Sequence, residues 1–493
     1  MAAAESGTPA GLPHPTPSSS FWHTEPSALL QGHRSTRELP KAVDVVVIGA
    51  GISGASVVHH LLEPYRQQDN NHTNGGAPST LLLDAREVCW GATGRNGGHC
   101  QPLLFTHPND PSIGHFELQG HAALARLSGV QLPTDPSPPP RKTFPCEFVT
   151  QPGVQAFYDH DTSIKTKSDL ETLTGHDPEL ASHCSFITSK ETLANLGVPD
   201  AVAALVTDTA GRCWPYKFVA GVIEDLVLDE GLHGRFNLQT WMPVVSISRR
   251  DEADQWSVKT ARGSVQAKQV ILATNGYTSA IMPDYTDMIV PCRGQMSAIK
   301  PPGELAGEKR LKTSWGFSEK GNHDYLIQRP NEFGGHLMYG GAEKYGHRLG
   351  VTDDSFVDDR QTKYLKTTLQ RYFSLEEKKE LDLVKTWSGI MGFSRDEVPL
   401  VGPVPGKKGL FMCAGFTGHG MPNTWLCGKT AASIANQIRR GVVSEDAVDA
   451  AAREMGLPRS YILTERRLEE ARKRPTVYDG DHSCFAPYGG REL

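Results

Sequence analysis

The feature that most narrows what this chain can fold into is the turn Gly49-Ala50-Gly51-Ile52-Ser53-Gly54. It follows Val43 to Ile48, a short β-branched run that suits a fully buried parallel strand, and precedes Ala55 to Leu62, which reads as a helix. Between a strand and a helix, this glycine spacing predicts a turn that cradles a dinucleotide phosphate. Gly49 permits the tight turn, Gly51 lets the backbone approach a pyrophosphate, and Gly54 lets the helix pack close to the strand. The helix amino end, carrying Ile52 and Ser53, favours the anion. The next apolar run, Leu81-Leu82-Leu83, ends at Asp84, which is placed to take a ribose hydroxyl. That acid comes roughly 35 residues on instead of about 20, because a polar stretch from Pro64 to Ser79 intervenes. A carboxylate there disfavours NADP, and the turn alone leaves NAD and FAD both open.

The 493 residues exceed the size at which one core usually keeps growing, so two domains or two interleaved lobes are expected. A net charge of −6, with basic residues scattered and not striped, argues against nucleic acid as a partner. The nine cysteines are odd in number and contain no Cys-x-x-Cys pair, against both a disulfide framework and a zinc site. No metal is expected, and a reducing cytoplasm fits best. Residues 1 to 40 read as a flexible leader without a signal peptide, and no stretch reaches the roughly 18 apolar residues that would span a membrane. Asn71-His72-Thr73 is a sequon read as a polar loop, and Arg491-Glu492-Leu493 is not a peroxisomal address.

Further along, Cys89 to Pro102 holds Gly91, Gly94, Gly97 and Gly98, too many for a helix or regular strand, so a shaped loop is expected. Prolines 133 to 140 mark a linker. Helices are predicted over Lys165–Gly175, Lys190–Leu205, Phe218–Glu230 and the charged stretch Asp358–Glu380. Strands are predicted over Trp241–Ser248, Trp256–Thr260, Gln269–Ala273 and Leu410–Ala414, the last leading through Gly415–Gly420 into a helix that ends near Arg439.

Four segments then carry a resemblance. Gly91-Ala92-Thr93-Gly94-Arg95-Asn96-Gly97-Gly98-His99, Val270 to Tyr277, Pro291-Cys292-Arg293-Gly294-Gln295 and Gly415-Phe416-Thr417-Gly418-His419-Gly420-Met421 together resemble the D-amino-acid oxidase-like FAD-dependent oxidoreductases. Within that group they are most similar to the branch of the γ-glutamylputrescine oxidases. The resemblance implies an α/β fold, with a doubly wound, Rossmann-like FAD-binding domain and an interleaved α+β substrate lobe on a mostly antiparallel sheet. The implied division is 41–130, 205–290 and 385–460 for FAD, 131–204 and 291–384 for substrate, and 461–493 as an extension.

By the same resemblance Ala85, Arg86, Ala92, Thr93, Arg95, Asn96, Gly97, Gly98 and His99 wrap the cofactor, Arg95 adding a charge for phosphate. Val245, Ala273, Thr274 and Gly276 approach it from the adenine side. Thr417, Gly418, His419, Gly420 and Met421 open the helix that points at the flavin, where a helix amino end stabilises negative charge. His419, Arg293 and Trp387 are the catalytic candidates; Arg293 or Arg395 could clamp an anion, and Trp315, Tyr325 and Trp387 could line a cavity. His99 with Cys100 raises covalent flavin attachment. Two departures stand out. Met391 occupies the place of the arginine that grips a substrate carboxylate, and Gly389 that of the cysteine that bonds flavin in sarcosine oxidases. The expected reaction is oxidation of a C–N bond in a small amine or amino acid, with oxygen as acceptor. A flavin-bearing scaffold without turnover and a tailoring oxidoreductase of secondary metabolism are the alternatives.

Overall fold

The computed structural model describes residues 7–66, 76–250, 254–346, 348–375 and 380–478; the sequon at 71–73 and the segment 491–493 lie outside them. Val45, Val46 and Val47 are each fully buried, as are Leu81, Leu82 and Leu83, because both faces of their sheet are covered. Strand β1 (Ala42–Ile48) lies between β2 (Thr80–Leu83) and β9 (Gly263–Leu272) and runs parallel to both. The sheet extends past β2 to β6 (Phe236–Gln239) and past β9 to β16 (Leu410–Ala414) and β15 (Leu400–Pro403). A hairpin of β7 (Val244–Arg250) and β8 (Gln255–Thr260) joins it through β9. Alternate residues feed two cores: Val45, Val47, Leu82 and Ile271 face the helices Ile52–Leu62, Pro215–Val227 and Met421–Arg439, while Val46, Leu83, Val270 and Leu272 face the other side.

The second sheet has the order β14 (Leu383–Ser394), β10 (Ile289–Ile299), β13 (Leu337–Gly341), β12 (Asn322–Gln328), β11 (Ser314–Glu319), β3 (Val149–Phe157), β5 (Ala203–Arg212), β4 (Cys184–Ile187). All its pairings are antiparallel except that of β11 with β3. The helix Asp359–Tyr372 packs its Leu365 and Leu369 on the outer face of this sheet.

Several local expectations change. The helix predicted over 190–205 stops at Asn195, because Gly197 turns left-handed at φ 88° and Pro199 follows; the apolar residues from Ala203 onward form a strand. The strand predicted from Trp241 starts at Val244, after Trp241 takes φ 52° and Pro243 removes a donor. The helix predicted over 218–230 runs Pro215–Val227. β5 and β14 both belong to the second sheet, so boundaries at 205 and 385 would fall inside its strands. The leader is packed from Gly7 onward, and Ser20, Phe21, Trp22 and Leu30 are buried. Among the described residues no helix is long and apolar enough to cross a membrane, and eight cysteines are free.

Candidate functional site: a cleft between the two sheets

The carboxyl ends of β1, β2 and β9 open into a cleft whose opposite wall comes from the second sheet. At its base Gly49 sits at φ 108°, and a Cβ there would fall 2.5 Å from Ala273 O. A Cβ on Gly54 would fall 1.8 Å from Gly49 O. Gly51 caps the helix Ile52–Leu62 without any side-chain hydrogen bond, and Gly420 does the same for Met421–Arg439. Two other helices are capped by carboxylates, Asp159 before His160–His176 and Asp358 before Asp359–Tyr372. Two glycine-capped helix starts therefore face one cleft, each bringing amide N–H groups and partial positive charge.

Asp84 closes the other side of the turn. Its Oδ2 accepts from Ala50 N at 2.7 Å and its Oδ1 from Arg86 N at 2.8 Å. Burial raises the pKa of this carboxyl, and the two N–H donors oppose the rise.

The shaped loop forms a 3₁₀ turn at Ala92–Arg95 and then runs extended. Thr93 Oγ1 accepts from Ile52 N at 3.2 Å, tying this loop to the first helix. The guanidinium of Arg95 is turned from the expected phosphate role towards Asp354, 3.1 Å from Nε to Oδ2, and donates to the Ser18 carbonyl. Arg86 meets both oxygens of the same carboxylate at 2.9 Å. Asp354 is fully buried, so removing it would leave two arginines uncompensated, at a cost of about 3–5 kcal/mol.

At the far end of the cleft Met391 and Phe393 from β14 and Tyr325 from β12 form an apolar wall. A buried ion pair, Glu343 with Arg348 at 3.1 Å, lines the same end. Burial raises Glu343 and the Arg348 charge opposes it. His419 Nε2 lies 3.1 Å from Glu117 Oε1. Glu117 also accepts from Leu103 N at 2.7 Å and Asn423 Nδ2 at 2.9 Å. Burial would raise Glu117, yet His419 and these donors outweigh it and hold the carboxyl below its usual range.

The structure brings most of the residues singled out above into this cleft: Gly49, Gly51, Ile52, Ser53, Asp84, Ala85, Arg86, Ala92, Thr93, Arg95, Asn96, Gly97 and His99, then Ala273, Thr274 and Thr417 through Met421. Gly54, Gly98 and Gly276 do not line it; each marks a close backbone approach, Gly98 to Cys213 O at 2.6 Å and Gly276 to Met391 O at 2.4 Å for an added Cβ. Val245 is displaced by its neighbour. It is 42% exposed, and Val244 lines the cleft, because the β7–β8 register shifts between Val244 and Ser246 and leaves Val245 at the bulge. Trp387 is a core residue whose Nε1 donates to Arg95 O at 2.8 Å, and Arg293 lies over the Phe356 ring; neither lines the cleft. Arg395 donates to the carbonyls of Arg472 and Arg474. Cys100 is buried off the cleft. At Gly389 an added Cβ would stand 2.8 Å from Arg95 Cβ, so a cysteine has no room.

The segment Val270–Tyr277 already brings in Asn275 and Tyr277, whereas Leu12 and Pro13, Glu117, Asp354 and the Glu343–Arg348 pair are not marked by the sequence. These latter residues have no local pattern to mark them.

Residues 44–434 match the family described as FAD dependent oxidoreductase, DAO. The chain belongs to this family. The DAO-family chain is 22% identical over 414 residues to the probable oxidoreductase OrdL of Rhizobium meliloti (strain 1021), covering 80% of this chain and 83% of that one. It is 22% identical over 407 residues to γ-glutamylputrescine oxidoreductase of Escherichia coli (strain K12), covering 79% and 83%. Its fold is similar to that of L-proline dehydrogenase from P. horikoshii, with a TM-score of 0.61, 19% identity and coverage of 85% and 99%. This DAO-family oxidoreductase depends on FAD, and the cleft suits that cofactor. Gly49 at its floor has no space for a side chain, neither Gly51 nor Gly420 covers its helix start with a side chain of its own, and Thr424 Oγ1, buried on the cleft wall, has no partner among the described residues.

Proposed function

We propose that this enzyme oxidises a C–N bond of a small amine or amino acid, with molecular oxygen as acceptor, in the cytoplasm. Bound FAD supplies the hydride acceptor, and an imine product hydrolyses in water. In this reading the turn Gly49–Ser53 and Asp84 hold the dinucleotide, the loop Ala92–His99 holds the flavin end, and Thr417–Met421 place positive potential beside it. The observation that carries the reading is the wall from the second sheet: Met391 and Phe393 lie against Gly418 before the helix start, Tyr325 lines the same cleft, and the Glu343–Arg348 pair stands with Asp324 and His323 among its polar groups. Such a wall excludes water and orients an aliphatic C–H bond, while Glu343 and Arg348 offer a polar end for a charged substituent. The named substrate of the E. coli relative, a glutamylated diamine, is a precedent of that kind. The chain's part is to bind, align and dehydrate; His419, 3.1 Å from Glu117, lines the cleft just before the helix start.

Anaerobic mixing of the holoenzyme with a panel of amines, amino acids and N-methyl compounds tests this. Bleaching of the flavin band by at least one class, with peroxide and a carbonyl product in air, is expected. A panel that neither bleaches the flavin nor yields peroxide would overturn the reading in favour of a flavin-bearing protein without amine turnover.

A further inference from the structure

The match to the family starts at residue 44, yet residues before it help to build the cleft: Leu12 and Pro13 line it. The segment is pinned on both sides of them. Gly7 N donates to Asp287 Oδ1 at 3.0 Å and Ala10 N to Ser279 Oγ at 2.9 Å, both beyond the end of β9. Arg86, just past β2, donates to the His14 carbonyl at 3.4 Å. β1 lies between β9 and β2, so residues 10 to 14 cross over the carboxyl end of β1, above the glycine turn.

From there the segment descends onto the loop 91–99. Ser18 N donates to Asp354 O at 2.7 Å, and the Ser18 carbonyl accepts from Arg95 Nη1 at 2.7 Å. Ser20 Oγ donates to Gly94 O at 2.7 Å and Trp22 Nε1 to Asn96 O at 2.6 Å. A Cβ on Gly98 would meet the Trp22 ring at 2.9 Å, so the indole packs directly against the loop. Asp354 completes the frame, because its carboxylate binds Arg86 on one wall and Arg95 on the other while its carbonyl holds Ser18. Two cleft-lining arginines and the crossing segment thus meet at one buried group.

We propose that residues 7–23 are a strap that retains FAD, closing over the dinucleotide and fixing the loop 91–99 through Ser20, Trp22 and Asp354. The cofactor can enter only before the strap docks, and it leaves only when the strap lifts. These are positioning residues, since they act through the loop and through Arg86 and Arg95. The proposal rests on FAD in the cleft and not on which compound is oxidised.

The test is the rate at which FAD leaves the holoenzyme after dilution into flavin-free buffer, read as the rise in free-flavin fluorescence. The variants are Trp22→Phe, Ser20→Ala and Asp354→Asn, with Leu365→Ala, in the helix outside the second sheet, as a control that lowers stability away from the strap. Release is expected to be about tenfold faster in Trp22→Phe combined with Ser20→Ala, and faster still in Asp354→Asn, with Leu365→Ala at the wild-type rate. Wild-type release from the strap variants would overturn the proposal. So would release that merely follows the loss of melting temperature, Leu365→Ala included. Trp22→Phe keeps an aromatic ring in place, so the test survives if Asp354→Asn fails to fold.

Discussion

At Gly54 the sequence pattern and the physical constraint coincide: a methyl group there would stand 1.8 Å from Gly49 O, and no rotamer relieves a backbone clash. Gly54→Ala is therefore expected to push the first helix off its strand, to cost about 1–3 kcal/mol as overpacking, and to abolish stoichiometric FAD, read as the ratio of flavin to protein absorbance. Glu117 is the opposite case, an ordinary helical glutamate in sequence that becomes the partner of His419 only in the fold. Losing one side of a close buried polar contact costs about 1–3 kcal/mol. Glu117→Gln is thus expected to lower kcat about tenfold or more with KM little changed; steady-state kinetics with unaltered kcat would show that the pair does not serve the reaction. Arg293 and Trp387 failed as cleft residues for one reason. Their motifs identify strands β10 and β14, but which face of a strand looks into the cleft depends on pairing partners far away in sequence.

Among the elements, the helix Met421–Arg439 has the start most open to test. Gly420 has φ −81°, and an added Cβ would meet Thr424 Cγ2 at 3.3 Å, so a side chain is tolerable there. Gly420→Asp would set a carboxylate against the positive helix start and stabilise the helix by about 0.3–1 kcal/mol, while placing that charge where reduced flavin gathers its own. Melting temperature unchanged or raised, together with a flavin that is harder to reduce in anaerobic titration, is the expected result; easier reduction would contradict the role of this helix start. The strand β5 shows why elements were only partly legible. Its apolar run Ala203–Leu205 fits a helix as well as a strand, and pairing with β3 and β4 decides it.

Across the whole molecule, burial depresses His59, His99, His121 and His323 from 6.5 to about 4. Between those values the unfolded chain takes up protons that the folded chain refuses. Stability is therefore fully present above about pH 6.5 and is lost as the pH falls towards 4, at up to about 1.4 kcal/mol per pH unit for each histidine. Melting temperatures measured from pH 7.5 to 4.5 should fall steadily, and a flat profile would contradict this account. The sequence by itself determined the parts whose physics is local: the glycine turn, whose spacing allows only a close helix–strand packing, the shaped loop 91–99, and the glycine-opened helix after Ala414. Only the tertiary structure decided that two strand systems share one cleft, that Asp354 joins Arg86 to Arg95, and that residues 7–23 lie across the mouth. Those contacts join residues far apart in the chain, 280 positions for Gly7 and Asp287 and 336 for Ser18 and Asp354, and their geometry depends on register and burial that no local pattern encodes.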